Sequence, residues 1–322
     1  MKRLTGCKVL VTATSYASQD KCLRTTLEEK VGEVVYNTTG RPLSSSQLQK
    51  LLPDVDGMIA GLDEIDAAAL AFAQKLKVVA RYGVGFDNVD LEAARLHHII
   101  VTNTPGANSK SVAELTITLI LNLLRPVIPA VQKTKEGEWP RFKGISLQGK
   151  TVGLVGCGAI GKETARKLAG FDCEILAFDI DEDKIFASEH GVRYVPLETL
   201  LAESDIVSLH LPGVPETSGL VNEDFIRKMK PSSYLINTAR GNLVDESALI
   251  DALRSGYLRG AALDVFQQEP PEAENPLLKL DQVLVTPHMG AHSDSATNSM
   301  GWMALDDCLA VLQGKEPKYR VV

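Results

Sequence analysis

An α/β fold with two parallel-sheet units is what this 322-residue sequence predicts. Short β-like runs alternate with amphipathic helical runs almost from end to end, the pattern of parallel strands joined by crossover helices. At roughly 150 residues per domain the length suits two hydrophobic cores. The alternation also restarts after an interruption at Gly137-Glu138-Trp139-Pro140.

In the first stretch, β-like runs fall near 8–13, 33–36, 57–60, 77–80 and 99–102, separated by amphipathic runs near 20–31, 46–52, 66–74 and 90–96. Residues 109–136 read as one long helix, apolar nearly all round and ending at Gly137, with Pro126 and Pro129 arguing for a kink or break. Its most apolar part, 112–124, is interrupted by Glu114 and Asn122 and is too short for a bilayer, so it reads as a buried helix. From Lys150 onward, strands are expected near 151–155, 174–178, 205–209, 233–237, 260–264 and 283–285. Helices fall near 160–170, 182–190, 223–229 and 246–255. Six strands in this order match a doubly wound dinucleotide-binding sheet. Residues 294–313 are helical again, and 314–322 form a short extended end.

Composition narrows the function. With 23% charged and 44% hydrophobic residues, the chain is neither disordered nor fibrous. Its net charge of −7 argues against a nucleic-acid binder working through a basic field. That charge is uneven: 1–102 is balanced, 103–291 carries −6 and 292–322 carries −1. An anionic ligand must therefore be held by local donors. The five cysteines (7, 22, 157, 173 and 308) form no Cys-x-x-Cys and lie at no metal-ligand spacing from a histidine, so no metal is expected. They read as reduced thiols of a cytoplasmic protein. The opening Met1-Lys2-Arg3-Leu4-Thr5-Gly6-Cys7-Lys8 lacks the apolar stretch and cleavage site of a signal peptide.

The sharpest local signal is Thr151-Val152-Gly153-Leu154-Val155-Gly156-Cys157-Gly158-Ala159-Ile160-Gly161. A strand runs into Gly-x-Gly-x-x-Gly and on into a helix. Gly156 serves the tight turn, Gly158 lets the backbone approach a pyrophosphate, and Gly161 allows close helix–strand packing. The helix N-terminus, at Ala159 and Ile160, offers amides to the phosphates. Asp179 follows the next strand, eighteen residues after Gly161. A carboxylate there accepts the ribose hydroxyls and repels a 2′-phosphate, which favours NAD over NADP. Asp181 is the alternative acid.

Three later segments each place a polar residue just after a strand: Asn237-Thr238-Ala239-Arg240-Gly241, Asp264-Val265-Phe266-Gln267-Gln268-Glu269-Pro270 and Thr286-Pro287-His288-Met289-Gly290. They offer a cation for a carboxylate, an acid to orient an imidazole, and the imidazole itself. Further motifs are Arg81-Tyr82-Gly83-Val84-Gly85-Phe86-Asp87-Asn88, Asn103-Thr104-Pro105-Gly106-Ala107-Asn108-Ser109, Val112-Ala113-Glu114-Leu115 and Ser208-Leu209-His210-Leu211-Pro212. At these residues nearly the whole chain resembles the D-isomer-specific 2-hydroxyacid dehydrogenases, most closely their phosphoglycerate dehydrogenase branch.

The resemblance implies a discontinuous architecture of Rossmann-like and flavodoxin-like domains. Residues 1–102 with 292–322 would form the substrate domain, and 103–291 a doubly wound NAD-binding domain inserted into it. It implies a catalytic set of Arg240, Glu269 and His288. Imidazole titrates near working pH and suits both proton donation and removal. Glu269 would fix its tautomer, and the planar Arg240 would hold the substrate carboxylate and polarise its carbonyl. The resemblance gives cofactor contacts to Gly156, Gly158, Ala159, Ile160, Gly161, Asp179, His210, Thr238, Ala239, Asp264 and His288, with Asp264 facing the nicotinamide carboxamide. Substrate contacts fall to Arg81, the Val84 and Gly85 amides, Asn108, Arg240 and His288. It also implies a homodimer through the 109–136 helix and the arm around Trp139, with no nucleic-acid or membrane partner.

For the substrate, the branch implies 3-phosphoglycerate and serine biosynthesis. One departure counts against it: phosphate-binding members often carry an arginine where this chain reads Met58-Ile59-Ala60-Gly61. Arg81, Arg141 and Lys143 are the remaining candidate phosphate donors, and glyoxylate, hydroxypyruvate or a larger 2-keto acid is the alternative. A corepressor-like NAD-sensing scaffold would show a lost catalytic residue, which this chain does not. His97, His98, His190 and His292 read as helix-end or surface residues.

Overall fold

The computed structural model describes residues 4–322, so Met1, Lys2 and Arg3 of the opening segment lie outside the described residues. The chain divides into two compact units, Met1–Asn108 with Ala291–Val322, and Ser109–Gly290.

The first unit opens with β1 (Leu4–Val11), α1 (Lys21–Lys30), β2 (Val31–Tyr36), α2 (Ser45–Leu51), β3 (Gly57–Ala60), α3 (Ala67–Leu70), β4 (Val78–Arg81), α4 (Leu91–Leu96) and β5 (Ile100–Thr102). Asp20, Asp66 and Asp90 start α1, α3 and α4 by accepting the amides of Cys22, Ala69 and Ala93, satisfying donors that the helix leaves open. The five strands are parallel in the order β2-β1-β3-β4-β5, the flavodoxin-like arrangement.

The second unit begins with α5 (Ser109–Leu124) and α6 (Val127–Lys135). The run expected over 109–136 is thus two helices, bent by 65°. Pro126 caps α6 and disfavours helical backbone at Arg125. Pro129 is tolerated in the first turn of α6, where amides lack intrahelical partners anyway. Among the described residues no single helix is long and apolar enough to cross a membrane.

There follow β6 (Thr151–Val155), α7 (Ala159–Leu168), β7 (Glu174–Phe178), α8 (Lys184–His190), β8 (Val192–Tyr194), α9 (Leu197–Glu203), β9 (Ile206–Leu209), α10 (Glu223–Lys228), β10 (Tyr234–Asn237), α11 (Glu246–Arg254), β11 (Gly260–Leu263) and β12 (Val283–Val285). All seven strands are parallel, in the order β12-β11-β10-β9-β6-β7-β8. Six were expected; β8 and α9 are additional. At three residues β8 is too short to show a period, and only its neighbours announce it: Gly191 ends α8 in the left-handed region and Pro196 starts α9. β8 completes the doubly wound order, and β12 extends the opposite edge.

The last helix, α12 (Asp294–Leu312), belongs to the first unit. Strand parity explains why. Val9, Val11, Ile59, Val78 and Ala80 line one sheet face with Leu23 and Leu27 of α1 and Met300, Ala304, Leu305 and Cys308 of α12. Leu10, Met58, Ala60 and Val79 point to the other face, covered by α2, α3 and α4. Without α12 the first face would meet water, at roughly 1.5–3 kcal/mol per large side chain.

The unit boundaries lie at 108/109 and 290/291, against the expected 102/103 and 291/292. Residues 103–108 stay with the first unit because their backbone is tied there. Asn103 N–H donates to Tyr319 O at 3.2 Å, Asn103 Nδ2 to Val84 O at 2.8 Å, and Thr104 N–H to Gly83 O at 3.0 Å.

Candidate active site

In the second unit the strand order reverses between β6 and β9, the point where open α/β sheets leave a crevice. The glycine loop stands there. Gly156 has φ +96°, and a Cβ on it would lie 2.7 Å from the carbonyl of His210, the residue just after β9. A Cβ on Gly161 would collide with the Gly156 carbonyl, whereas one on Gly158 would meet nothing within 4 Å. Gly158 caps α7 without a side-chain hydrogen bond, so the amides that follow stay directed at the space above the loop. Two glycines are needed for packing and the third leaves a bare approach to a helix N-terminus, a cradle that fits a dinucleotide pyrophosphate.

Asp179, after β7, closes this loop. Its Oδ2 accepts Cys157 N–H at 2.6 Å and its Oδ1 accepts Asp181 N–H at 3.1 Å. Each oxygen retains a lone pair for a ribose hydroxyl. Asp181 is only a donor to Asp179 here. His210 is the other wall: Nε2 lies 3.0 Å from Ser208 Oγ, and Nδ1 is buried with no partner. Burial pushes its pKa down to about 4, so the ring is neutral.

Three neighbouring strands, β10, β11 and β12, carry the remaining groups on the loops beyond their C-terminal ends. After β10, Asn237 shapes the turn: its Oδ1 accepts Ala239 N–H at 3.0 Å and its Nδ2 donates to Arg240 O at 2.8 Å. Thr238 donates its hydroxyl to Thr116 Oγ1 at 2.8 Å, since Thr116 spends its own proton on Val112 O. Arg240 is half-buried and one arm of its guanidinium bonds Ala239 O at 2.7 Å.

After β11 and β12, Glu269 and His288 meet. His288 Nδ1–H donates to Glu269 Oε2 at 2.6 Å, while Glu269 Oε1 accepts Phe266 N–H at 3.1 Å. The two side chains are 27% and 33% exposed, enough for a small molecule to reach the imidazole. With Nδ1 committed, Nε2 is the nitrogen left for proton transfer. His288 has φ +48°, an uncommon conformation for a side chain of this size.

Asp264 holds that conformation. Its Oδ1 accepts Thr286 Oγ1–H at 2.6 Å and Met289 N–H at 2.9 Å, its Oδ2 accepts Gly290 N–H at 2.8 Å, and its carbonyl accepts His288 N–H at 2.8 Å. Asp264 is 1% exposed, with three donors of the 286–290 turn converging on its carboxylate. Thr286, Asn237 and Phe266 were not singled out from the sequence. Thr286 acts through a hydrogen bond to Asp264, 22 residues earlier, Phe266 through its backbone amide, and Asn237 by shaping its own turn, and residue type alone does not reveal these duties.

In the first unit, Arg81, which the sequence expectation gives to the substrate, is 3% exposed. Its Nε donates to Gly85 O at 3.0 Å, and its Nη1 to Ala60 O at 2.8 Å and to Gly61 O. Carbonyls at the sheet's end thus solvate the buried cation, and it braces the 83–85 turn. Asn103 holds Val84 O from the other side, so the two peptides are fixed through their carbonyls. Asn108 Oδ1 is a buried acceptor without a partner. Among the other histidines, His97 caps the end of α4 and His190 ends α8 against Phe186. Arg141 and Lys143 are exposed in the arm beyond α6.

Doubly wound sheet, pyrophosphate cradle and a carboxylate–imidazole pair, with an arginine on the neighbouring loop, together define an oxidoreductase with NAD as its cofactor. Comparison with known proteins makes the class specific. Residues 117–290 match the family model described as D-isomer specific 2-hydroxyacid dehydrogenase, NAD binding domain. A glyoxylate reductase of Thermofilum pendens is 41% identical over 299 residues, covering 90% of this chain and 88% of that protein. A D-3-phosphoglycerate dehydrogenase of Archaeoglobus fulgidus is 39% identical over 275 residues; the match takes in 84% of this chain but only 52% of that longer relative. The solved structure of the TT0316 protein of Thermus thermophilus superposes with TM-score 0.87 at 38% identity, over 98% of this chain and 100% of that one. The chain belongs to the D-isomer-specific 2-hydroxyacid dehydrogenase family, and it is an NAD-dependent enzyme acting on the CH–OH group of a 2-hydroxy acid.

Proposed function

We propose that the enzyme reduces a small, unphosphorylated 2-keto acid such as glyoxylate or hydroxypyruvate, with Arg240, Glu269 and His288 as its catalytic residues. Bound NADH supplies the hydride, and NAD accepts it in the reverse direction. The chain's own part is to hold the acid and move a proton. Arg240 pairs with the substrate carboxylate through its planar donors. His288 donates from Nε2 to the carbonyl oxygen during reduction and removes the proton during oxidation. Glu269 keeps the other proton on Nδ1. In the first unit, the Val84 and Gly85 amides form an anion-binding turn in this reading.

The observation that carries the choice of substrate is Arg81. It is the cation nearest in sequence to the Val84–Gly85 turn, and it is buried and engaged with backbone carbonyls. A phosphate finds no exposed guanidinium there, and residues 58–61 supply none. 3-Phosphoglycerate, with a place in serine biosynthesis, is the second reading, supported by the identity to phosphoglycerate dehydrogenases. We also propose a cytoplasmic homodimer. In support, the five cysteines are free thiols, and Val127, Val131, Trp139 and Phe142 are large apolar side chains exposed on and beyond α6.

The test is NADH oxidation across glyoxylate, hydroxypyruvate and 3-phosphohydroxypyruvate. We expect the two unphosphorylated acids to give the higher kcat/KM, and His288→Ala to lower kcat by about 10²–10⁴-fold. A kcat/KM tenfold higher for the phosphorylated acid would establish the second reading instead. Wild-type rates in His288→Ala would remove the assigned acid–base role.

A further inference from the structure

The segment that carries Glu269 is tied on both sides to a carboxylate outside the reacting set. Glu246 stands in the first turn of α11, six residues after Arg240. Its Oε1 accepts Gln267 N–H at 2.8 Å and its Oε2 accepts Asn275 Nδ2–H at 2.9 Å. Gln267 and Asn275 bracket Glu269. A further bond joins the same segments, Gln267 Nε2–H to Val244 O at 2.7 Å. Just upstream, Gly241 packs so tightly that any Cβ would fall on the Phe266 carbonyl. The stretch that follows Arg240 is therefore fastened in three places to the stretch that presents Glu269.

An acid in a first turn is also favoured by the helix dipole. That would not send both oxygens outward to two points of one loop. Asn275 sharpens the requirement, because its Oδ1 is already used by Leu277 N–H at 2.9 Å. Its amide is thereby oriented with Nδ2 toward Glu246. Both partners of Glu246 are donors, so only a group accepting through both oxygens satisfies them.

We propose that Glu246 is a positioning residue for proton transfer: it sets Glu269 against His288 Nδ1 in register with Arg240, and affects turnover only through them. The inference rests on the roles proposed above for Glu269 and His288. It is tested on the full-length enzyme with Glu246→Ala, Glu246→Gln, Glu269→Gln and the double variant Glu246→Ala/Glu269→Gln. The measurements are kcat and KM for the best 2-keto acid and the NADH dissociation constant by fluorescence.

Glu246→Ala is expected to lower kcat about tenfold with NADH affinity unchanged. Glu246→Gln, which keeps the Gln267 bond and loses the Asn275 bond, should fall between it and wild type. In the double variant the loss should not exceed that of Glu269→Gln alone, because residues acting as one unit are not additive. Losses that multiply in the double variant, or a wild-type kcat in Glu246→Ala, would overturn the inference by itself. A wild-type kcat in Glu269→Gln would overturn the role of Glu269, and the inference with it. If Glu246→Ala does not fold, Glu246→Gln carries the same cycle.

Discussion

Glycines 156, 158 and 161 share one motif, yet their surroundings separate their duties. A methyl group on Gly161 would meet the Gly156 carbonyl, while one on Gly158 would enter open space. Gly158→Ala should therefore leave the melting temperature of the cofactor-free protein unchanged and weaken NADH binding about tenfold, ~1.4 kcal/mol. Gly161→Ala should instead destabilise the fold by about 1–3 kcal/mol through overpacking. Thermal melts with and without NADH check both; a Gly158→Ala protein that binds NADH normally would show that the pyrophosphate lies elsewhere. His210 makes a second prediction at this scale. Its pKa is lowered by burial from 6.5 to about 4, so between those values the unfolded chain binds a proton that the folded one refuses. Stability must fall as pH drops through that window, by up to about 3 kcal/mol. Urea midpoints from pH 7 to 4 should show that slope in the wild type and its loss in His210→Gln. An identical pH dependence in both would contradict the neutral, buried ring.

Among the elements, the turn at 286–290 is the least local in its causes. Its sequence reads as a tight turn with an imidazole, and that much was visible without a structure. What holds His288 at φ +48° is a carboxylate more than twenty residues earlier, accepting three donors of the turn. Asp264→Asn would set an amide NH₂ against at least one of those donors. We expect a loss of about 1–3 kcal/mol in stability and a fall in kcat of at least tenfold, read by denaturant titration and steady-state rates. Unchanged kcat would mean that the turn keeps its shape unaided. Strand existence was readable in β1 through β7 and β9 through β12, where apolar runs are four residues or longer or carry branched side chains. β8 was not, because three edge-strand residues carry no period. The helix break at Pro126 was readable because proline chemistry is local.

At the scale of the whole molecule, two α/β units are interleaved along the chain. α12 returns to the first because the β1, β3 and β4 side chains on that face need a cover. The acidic excess of 103–291 falls on the unit that binds an anionic dinucleotide, and the glycine loop offers it backbone amides, which net charge does not count. The homodimer reading makes a test at this scale. Val131 and Phe142 are 45% and 46% exposed, a poor arrangement for large apolar groups unless a second copy covers them. Sedimentation velocity should show a dimer for the wild type and a monomer for Val131→Asp/Phe142→Asp, with the far-UV spectrum retained. A monomeric wild type would refute the dimer.

The glycine loop, Asp179, the order Arg240–Glu269–His288 and the alternation of elements could all be read in one dimension, because each depends on residue type at short spacing or on periodic burial. The Glu269–His288 contact, the inward turn of Asp264, the burial of Arg81 and the brace from Glu246 could not. Each joins atoms from separate loops or strand ends, and whether a carboxylate or guanidinium meets a ligand or a backbone amide or carbonyl depends on which groups the folded sheets bring within 3 Å of it. Residue chemistry supplied the candidates, and hydrogen-bond satisfaction in the folded chain gave them their partners.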